Sequence, residues 1–236
     1  MIKKRLRKIV KNFIYSFPSS GVLMFHHVAD KPALPRSKCL LATERFYEII
    51  SAFPEDAYVS VRDVQKIKRK IAITFDDGIE DVYRIAYPYL KKHNIPFCIF
   101  VVTDFLDQPG YITTEQLLEM NRDPLVTIGS HGITHDVLKG LPEETQIREL
   151  SESKRILEEK LGKNVDCFAY SHGQYDEETL KHVRIYPCAF SVIAKPLNIL
   201  TNKKWELPRI NIDSTVNLDS KKREISRILK LDKREK

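Results

Sequence analysis

Runs of β-branched and aromatic residues alternate along this chain with stretches whose apolar residues recur every three or four positions. Val22-Leu23-Met24-Phe25-His26-His27-Val28 opens the series as an apolar strand that takes in two histidines near its end. Ile71 to Phe75 has the composition of a buried strand, and Pro96 to Phe105 is a continuous apolar run of the kind covered on both faces. Val126 to Ser130, Val165 to Ser171, Cys188 to Ile193 and Leu207 to Ile212 repeat the pattern. Between them the spacing predicts helices: from an N-cap at Thr43 to Phe53, over 79–93, after an N-cap at Thr114, from Pro142 to Leu161, and over 177–185. In the second of these Ile79, Val82, Ile85, Ala86 and Leu90 share one face, and Asn94 and Pro96 end it. Strand and helix alternate with short connections throughout, which predicts a parallel α/β sheet, open or closed into a barrel.

Charge divides this chain into three. Residues 1–11 hold six Lys/Arg and no acid, and 219–236 hold eight against four acids, so the ends carry +10 of a net +7 and the stretch between them is −3. A fold that tracks phosphates would place its basic residues in the middle, so nucleic acid is excluded as the partner of the core. In the N-terminal segment Ile2, Leu6, Ile9, Val10, Phe13 and Phe17 share a helical face and lysine and arginine cover the rest, the pattern of a helix lying on anionic lipid or docked on its own domain. The expected organisation is a basic amphipathic segment at 1–18, one domain over 19–216, and a basic helix or tail over 217–236. Cys39, Cys98, Cys167 and Cys188 lack the spacing of a disulfide scaffold or a C-x-x-C site. With no long apolar stretch and no secretory leader pattern, the expected compartment is the cytoplasm, peripheral to the inner face of its membrane.

Chemistry enters at Phe75-Asp76-Asp77-Gly78, where a buried strand ends in two carboxylates and a glycine. A metal ligand and a general base need such an arrangement; a helix-capping aspartate would also produce it. Ser130-His131-Gly132-Ile133-Thr134-His135 follows another strand, and histidines four apart on a helical turn project to the same side. Two imidazoles and a carboxylate form a set that leaves positions open for water and substrate. Asp76, Asp77, His131, His135 and His26 all stand at strand C-termini, which collect on one edge of a parallel α/β fold. His26 and His27 stay equivalent on periodicity alone.

These residues resemble the polysaccharide deacetylases of the NodB-homology type, carbohydrate esterase family 4. Thr74-Phe75-Asp76-Asp77-Gly78 and Ser130 to His135 match the first two motifs of that family, Phe168-Ala169-Tyr170-Ser171-His172-Gly173 resembles the third in its Phe-Ala-Tyr-Pro form, and Leu207-Pro208-Arg209-Ile210 resembles its Leu-Pro-Arg element. Met24-Phe25-His26-His27-Val28 is similar to the Met-Tyr-His-x-Val opening of one subgroup. The resemblance implies a distorted (β/α) barrel and hydrolysis of an N-acetyl, less often an O-acetyl, group on a sugar. It assigns a divalent metal, commonly zinc with cobalt, nickel or manganese as alternatives, to Asp77, His131 and His135. Asp76 becomes the general base, Arg209 its orienting partner, His26 the general acid, and a backbone N–H of the third motif an oxyanion donor. Tyr170 and His172 become substrate contacts, with His172 a competing acid because Ser171-His172 replaces the usual proline step. The implied substrate is an acetylated amino sugar, either a lipid-linked or nucleotide-linked precursor of a surface polysaccharide or the polymer itself. A carbohydrate-binding protein that lost its chemistry, and an interaction protein held at a membrane by its tails, are the readings from other classes.

Overall fold

The computed structural model describes residues 19–31, 34, 39–198, 200 and 203–230, so the expected helix at 1–18 lies outside the described residues. In chain order the strands and helices are β1 (Ser19–Phe25), β2 (His27–Val28), β3 (Leu40–Leu41), α1 (Thr43–Ser51), β4 (Ile71–Phe75), α2 (Tyr87–Lys92), β5 (Phe97–Val101) and α3 (Thr114–Arg122). They continue with β6 (Val126–Ser130), α4 (Glu143–Leu161), β7 (Cys167–Ala169), α5 (Glu177–His182), β8 (Cys188–Phe190), β9 (Leu197–Asn198), β10 (Ile210–Asn211) and α6 (Leu218–Leu229).

The main sheet runs β10-β1-β4-β5-β6-β7-β8, all parallel, with β9 antiparallel on the start of β1. Leu207 bridges to Phe190 at the end of β8, and Ile210, three residues on, pairs with Leu23 of β1. Segment 207–211 therefore joins the two edges and curls the parallel sheet into the distorted barrel that the resemblance implies.

Period-two alternation sorts the strand residues into two layers. Leu23 and Phe25, Ile71, Ile73 and Phe75, Phe97 and Ile99, Ile128 and Phe168 face outward and pack under the helices in the larger core. Val22, Ala72, Cys98, Phe100, Cys167, Ala169 and Phe190 fill a second core inside the barrel. The inner row uses small residues because a narrow barrel lacks room for large ones on every strand. Three cysteines are buried, Cys39 is half-buried, and all four are free thiols.

Several boundaries move. The 22–28 run breaks at His26, and His27–Val28 pairs instead with Leu40–Leu41. Ala42, not Thr43, is the N-cap of α1, and the cap and capping box of α3 belong to Thr113 with Gln116. The 79–93 helix begins with a π-helical segment, Val82–Ala86, before α2. The stretch set apart at 217–236 contains α6, whose Leu218, Ile225, Ile228 and Leu229 are buried in the larger core. The domain thus extends at least to Leu229, because that helix covers β1. Among the described residues no helix is long and apolar enough to cross a membrane.

Gly129 of β6 faces the barrel interior, where a Cβ would lie 2.5 Å from the Phe100 ring and 3.1 Å from Cys167 O. Gly129→Ala is expected to lose about 1–3 kcal/mol in urea unfolding, the usual range for overpacking a filled interior. A wild-type midpoint would mean that Phe100 can swing aside.

Candidate active site

The inner rows of β1, β4 and β6 run past the strand ends into His26, Asp76 and His131, which gather at the C-terminal mouth of the barrel. Asp76 and Arg209 are both buried there, joined by two parallel hydrogen bonds, Nη1 to Oδ1 at 2.6 Å and Nη2 to Oδ2 at 2.8 Å. Arg209 also donates Nε to Ser191 O at 3.1 Å and Nη1 to Thr74 Oγ1 at 3.3 Å, and its guanidinium lies 5.5 Å from the Phe100 ring centre. Burial pushes the Asp76 carboxyl up, but the Arg209 charge, then those of His131 and His26, outweigh it and hold Asp76 below the usual carboxylate range. The geometry of the Asp76 carboxylate is fixed by a planar fork.

Alternation alone would turn Asp77 outward. Asp77 and Gly78 instead both adopt φ of +71°, a left-handed step that brings the second carboxylate back to the mouth. Its Oδ1 lies 3.4 Å from His131 Nε2 and 3.1 Å from His135 Nε2. The ring of His131 is oriented by its Nδ1–H, which donates to Ala169 O at 2.7 Å. A carbonyl only accepts, so a proton sits on Nδ1 and Nε2 is the nitrogen that faces Asp77. Asp77 Oδ1 is itself buried without a hydrogen-bond partner. Two imidazole nitrogens and a carboxylate oxygen aimed at one point form a group that can hold a metal ion, their three ligand atoms lying within 4.8 Å of one another. The donor set fits a divalent metal. Burial opposes, yet the two imidazoles hold Asp77 well below its usual range, and Asp77 and Asp76 raise His131 against its own burial.

His131 and His135 do not share a helical turn. The segment between them is a loop with Gly132 at φ +86° and His135 at +70°, bent so that both rings reach Asp77. Left-handed backbone at Asp77 and His135, both non-glycine, is the kind of strain that collects at functional sites. A residue the sequence reading passed over, Glu149 of α4, accepts hydrogen bonds from this loop. The signal was a polar series, Gln146, Glu149 and Ser153, on the buried face of that helix.

His26 is partly exposed, with Nε2 3.9 Å from Asp76 Oδ2. His27 points the other way, buried against Asp81 Oδ2 at 3.0 Å, so the histidine pair divides into one site residue and one core residue. Ser171 donates its hydroxyl to His131 O at 3.0 Å, a tie that proline could not make. His172, at φ +55°, is exposed beside the ligand set, its ring centre 4.5 Å from that of His135. Tyr170 is not a substrate contact. Its side chain is wholly buried, stacked on Tyr175 at 4.2 Å with its hydroxyl donated to Trp205 O, because the outward phase of β7 carries it into the core. Its amide donates to Phe190 O. His93 and His182 pair with surface glutamates away from the mouth.

The sequence model of the family described as polysaccharide deacetylase matches residues 63–189, which include both aspartates and both ligand histidines but neither His26 nor Arg209. A putative polysaccharide deacetylase of Bacillus subtilis, YxkH, is 35% identical over 129 residues, covering 54% of this chain and 46% of that protein. The chain thus aligns with less than half of that relative. Poly-beta-1,6-N-acetyl-D-glucosamine N-deacetylase of Staphylococcus aureus is 27% identical over 226 residues, covering 88% of this chain and 76% of that one. Among solved structures, the Streptococcus pyogenes deacetylase PplD shares the fold at TM-score 0.79 and 22% identity, covering 89% of this chain and 99% of that one. IcaB from Ammonifex degensii shares it at TM-score 0.75 and 22% identity, with coverages of 90% and 97%. With the family model spanning more than half of it, the chain belongs to the polysaccharide deacetylases.

Proposed function

We propose that this protein is a metal-dependent hydrolase that removes the acetyl group from the nitrogen of an amino sugar in a surface polysaccharide. One observation carries the reading: an Asp77–His131–His135 ligand set meets an ionised Asp76, clamped by Arg209, with His26 on its other side. A carbohydrate-binding protein without chemistry has no need of a buried, charge-compensated base beside a metal set. Family membership supports the reaction class. The named activity of the Staphylococcus aureus relative favours a polymer of N-acetylglucosamine over lipid-linked or nucleotide-linked precursors. The nitrogen-and-oxygen donor set favours zinc, and cobalt, nickel or manganese suit the same donors.

When bound, a divalent cation supplies Lewis acidity, bringing the pKa of water toward neutrality and drawing charge from an acetyl carbonyl. Asp76 takes the proton of the attacking water as the new C–O bond forms. Arg209 keeps Asp76 ionised and aimed, and remains protonated throughout. His26 gives a proton to the amine as the C–N bond breaks, so acetate and a free amino sugar leave. Partial desolvation and the neighbouring His135 push the pKa of His172 down, which favours the neutral ring, and at the rim it serves to hydrogen-bond sugar hydroxyls.

Acetate release from β-1,6-linked N-acetylglucosamine oligomers, compared with a sugar nucleotide and a polyprenyl-linked sugar, tests the reading. Metal-dependent release is expected from the oligomers, falling by at least about 100-fold in Asp76→Asn while metal stays bound. Metal binding with no release from any substrate would leave a glycan-binding role. His131→Ala and His135→Ala are each expected to lose most of the bound ion by metal analysis, and full retention would remove them as ligands.

Arg209→Met leaves Asp76 buried without its counter-charge, at an expected cost of about 3–5 kcal/mol at neutral pH. Because the folded pKa of Asp76 is depressed, the pair stabilises the fold above the unfolded value near about 4, and this is lost as pH falls through the folded pKa. The gap between wild type and variant should therefore narrow in acid. A gap independent of pH would show that the arginine acts through packing alone.

A further inference from the structure

Two of the three ligand side chains ride on one short loop, His131 to His135, which belongs to no helix or strand. Backbone contacts tie its first half, through His131 N to Val101 O, Thr103 N to Gly132 O and Asp104 N to Ile133 O. Its second half rests on Glu149. Glu149 Oε2 accepts from the amides of Ile133 at 2.7 Å and Thr134 at 3.2 Å, and Oε1 accepts from the Thr134 hydroxyl at 2.9 Å. The Thr134 hydroxyl accepts in turn from Asp136 N at 3.2 Å. A Cβ on Gly132 would lie 2.9 Å from Oε2, so the carboxylate packs directly against the loop backbone.

Glu149 is only 5% exposed, and among the described residues no lysine, arginine or histidine lies within ion-pairing distance of it. A buried carboxylate without a cation is costly, and it persists where several donors satisfy it at once. Here every donor comes from the segment that carries the two ligand imidazoles. The side chain gives its hydrogen bonds to the shape of one loop.

We infer that Glu149 is the positioning residue of the metal site: its carboxylate bends the His131–His135 loop so that both imidazoles face Asp77, and it thereby sets the affinity for the ion without touching it. The inference rests on the reading of Asp77, His131 and His135 as ligands. It makes reach, rather than charge, the property that matters. Glutamine keeps the reach, offering one oxygen to the two amides and an NH₂ group to Thr134 Oγ. Aspartate keeps the charge but is one methylene, about 1.5 Å, too short.

The test is zinc affinity, by competition with a chromophoric chelator, for wild type, Glu149→Gln and Glu149→Asp, with the visible spectrum of each Co²⁺ form as the readout of ligand geometry. Near-ultraviolet circular dichroism of the metal-free proteins checks that each is folded. Glu149→Asp is expected to bind zinc about 10- to 100-fold more weakly with an altered Co²⁺ band, as outer-shell partners of ligands usually do. Glu149→Gln is expected to stay close to wild type. An aspartate variant that holds zinc as tightly as the glutamine variant overturns the inference. If the aspartate variant does not fold, Thr134→Val removes the hydroxyl leg from an exposed position, and there lowered affinity is expected and unchanged affinity overturns it. A wild type that takes up no metal would instead overturn the ligand reading, and the inference with it.

Discussion

An arginine and an aspartate buried together inside a narrow barrel compensate each other's charge. Arg209 and Asp76 stand 133 positions apart, one entering β10 and the other leaving β4, with β1 between those two strands. Each is costly without the other, since removing either leaves an uncompensated charge in a low-dielectric interior. The pair therefore forms only when segment 207–211 has closed the sheet. Closure of the fold and the orientation of the Asp76 carboxylate by Arg209 are one event.

The parts of the site that could be read in the sequence are those contained in one contiguous motif. Phe75-Asp76-Asp77-Gly78 and Ser130 to His135 each place their chemistry at the end of a recognisable strand, and both ends do lie at the barrel mouth. What joins motifs to one another was legible through resemblance alone: nothing local to Arg209 says that it meets Asp76. The conformation inside a motif was also hidden. Histidines four apart suit a helical turn, and here a loop with positive φ at Gly132 and His135 brings them together instead. Glu149 escaped notice because it sits mid-helix in a run rich in charge, where its burial is decided by a loop that precedes it by 15 residues.

The departures from the family pattern have a local explanation. Where the third motif usually carries proline, Ser171 uses its hydroxyl to hold the carbonyl of His131. The loop that carries the ligands is thus fastened at His131 by Ser171 and at Ile133 and Thr134 by Glu149. His172 then takes a left-handed conformation that seats it beside His135 at the exposed rim. Ser171 thus supplies an anchor for the ligand loop, and His172 beside it a polar group at the mouth.

Strand alternation accounts for which residues reach the mouth and which do not. The inward row of β1 continues from Val22 to His26, that of β4 from Ala72 to Asp76, and that of β6 from Gly129 to His131. The outward rows continue from Phe25 to His27, which meets Asp81, and from Phe168 to Tyr170, which joins the outer core. Counting in twos from the buried strand residues separates His26 from His27 and removes Tyr170 from the substrate side. Asp77 is the exception that the chemistry demands. Two adjacent residues of a strand cannot share a face, so a base and a ligand placed side by side require the backbone to turn between them. The left-handed conformations of Asp77 and Gly78 are that turn. A β-branched residue at either position would resist it, because its side chain is hardest to accommodate at positive φ. The strain in the first motif is thus a geometric consequence of putting a base and a metal ligand next to each other on one strand.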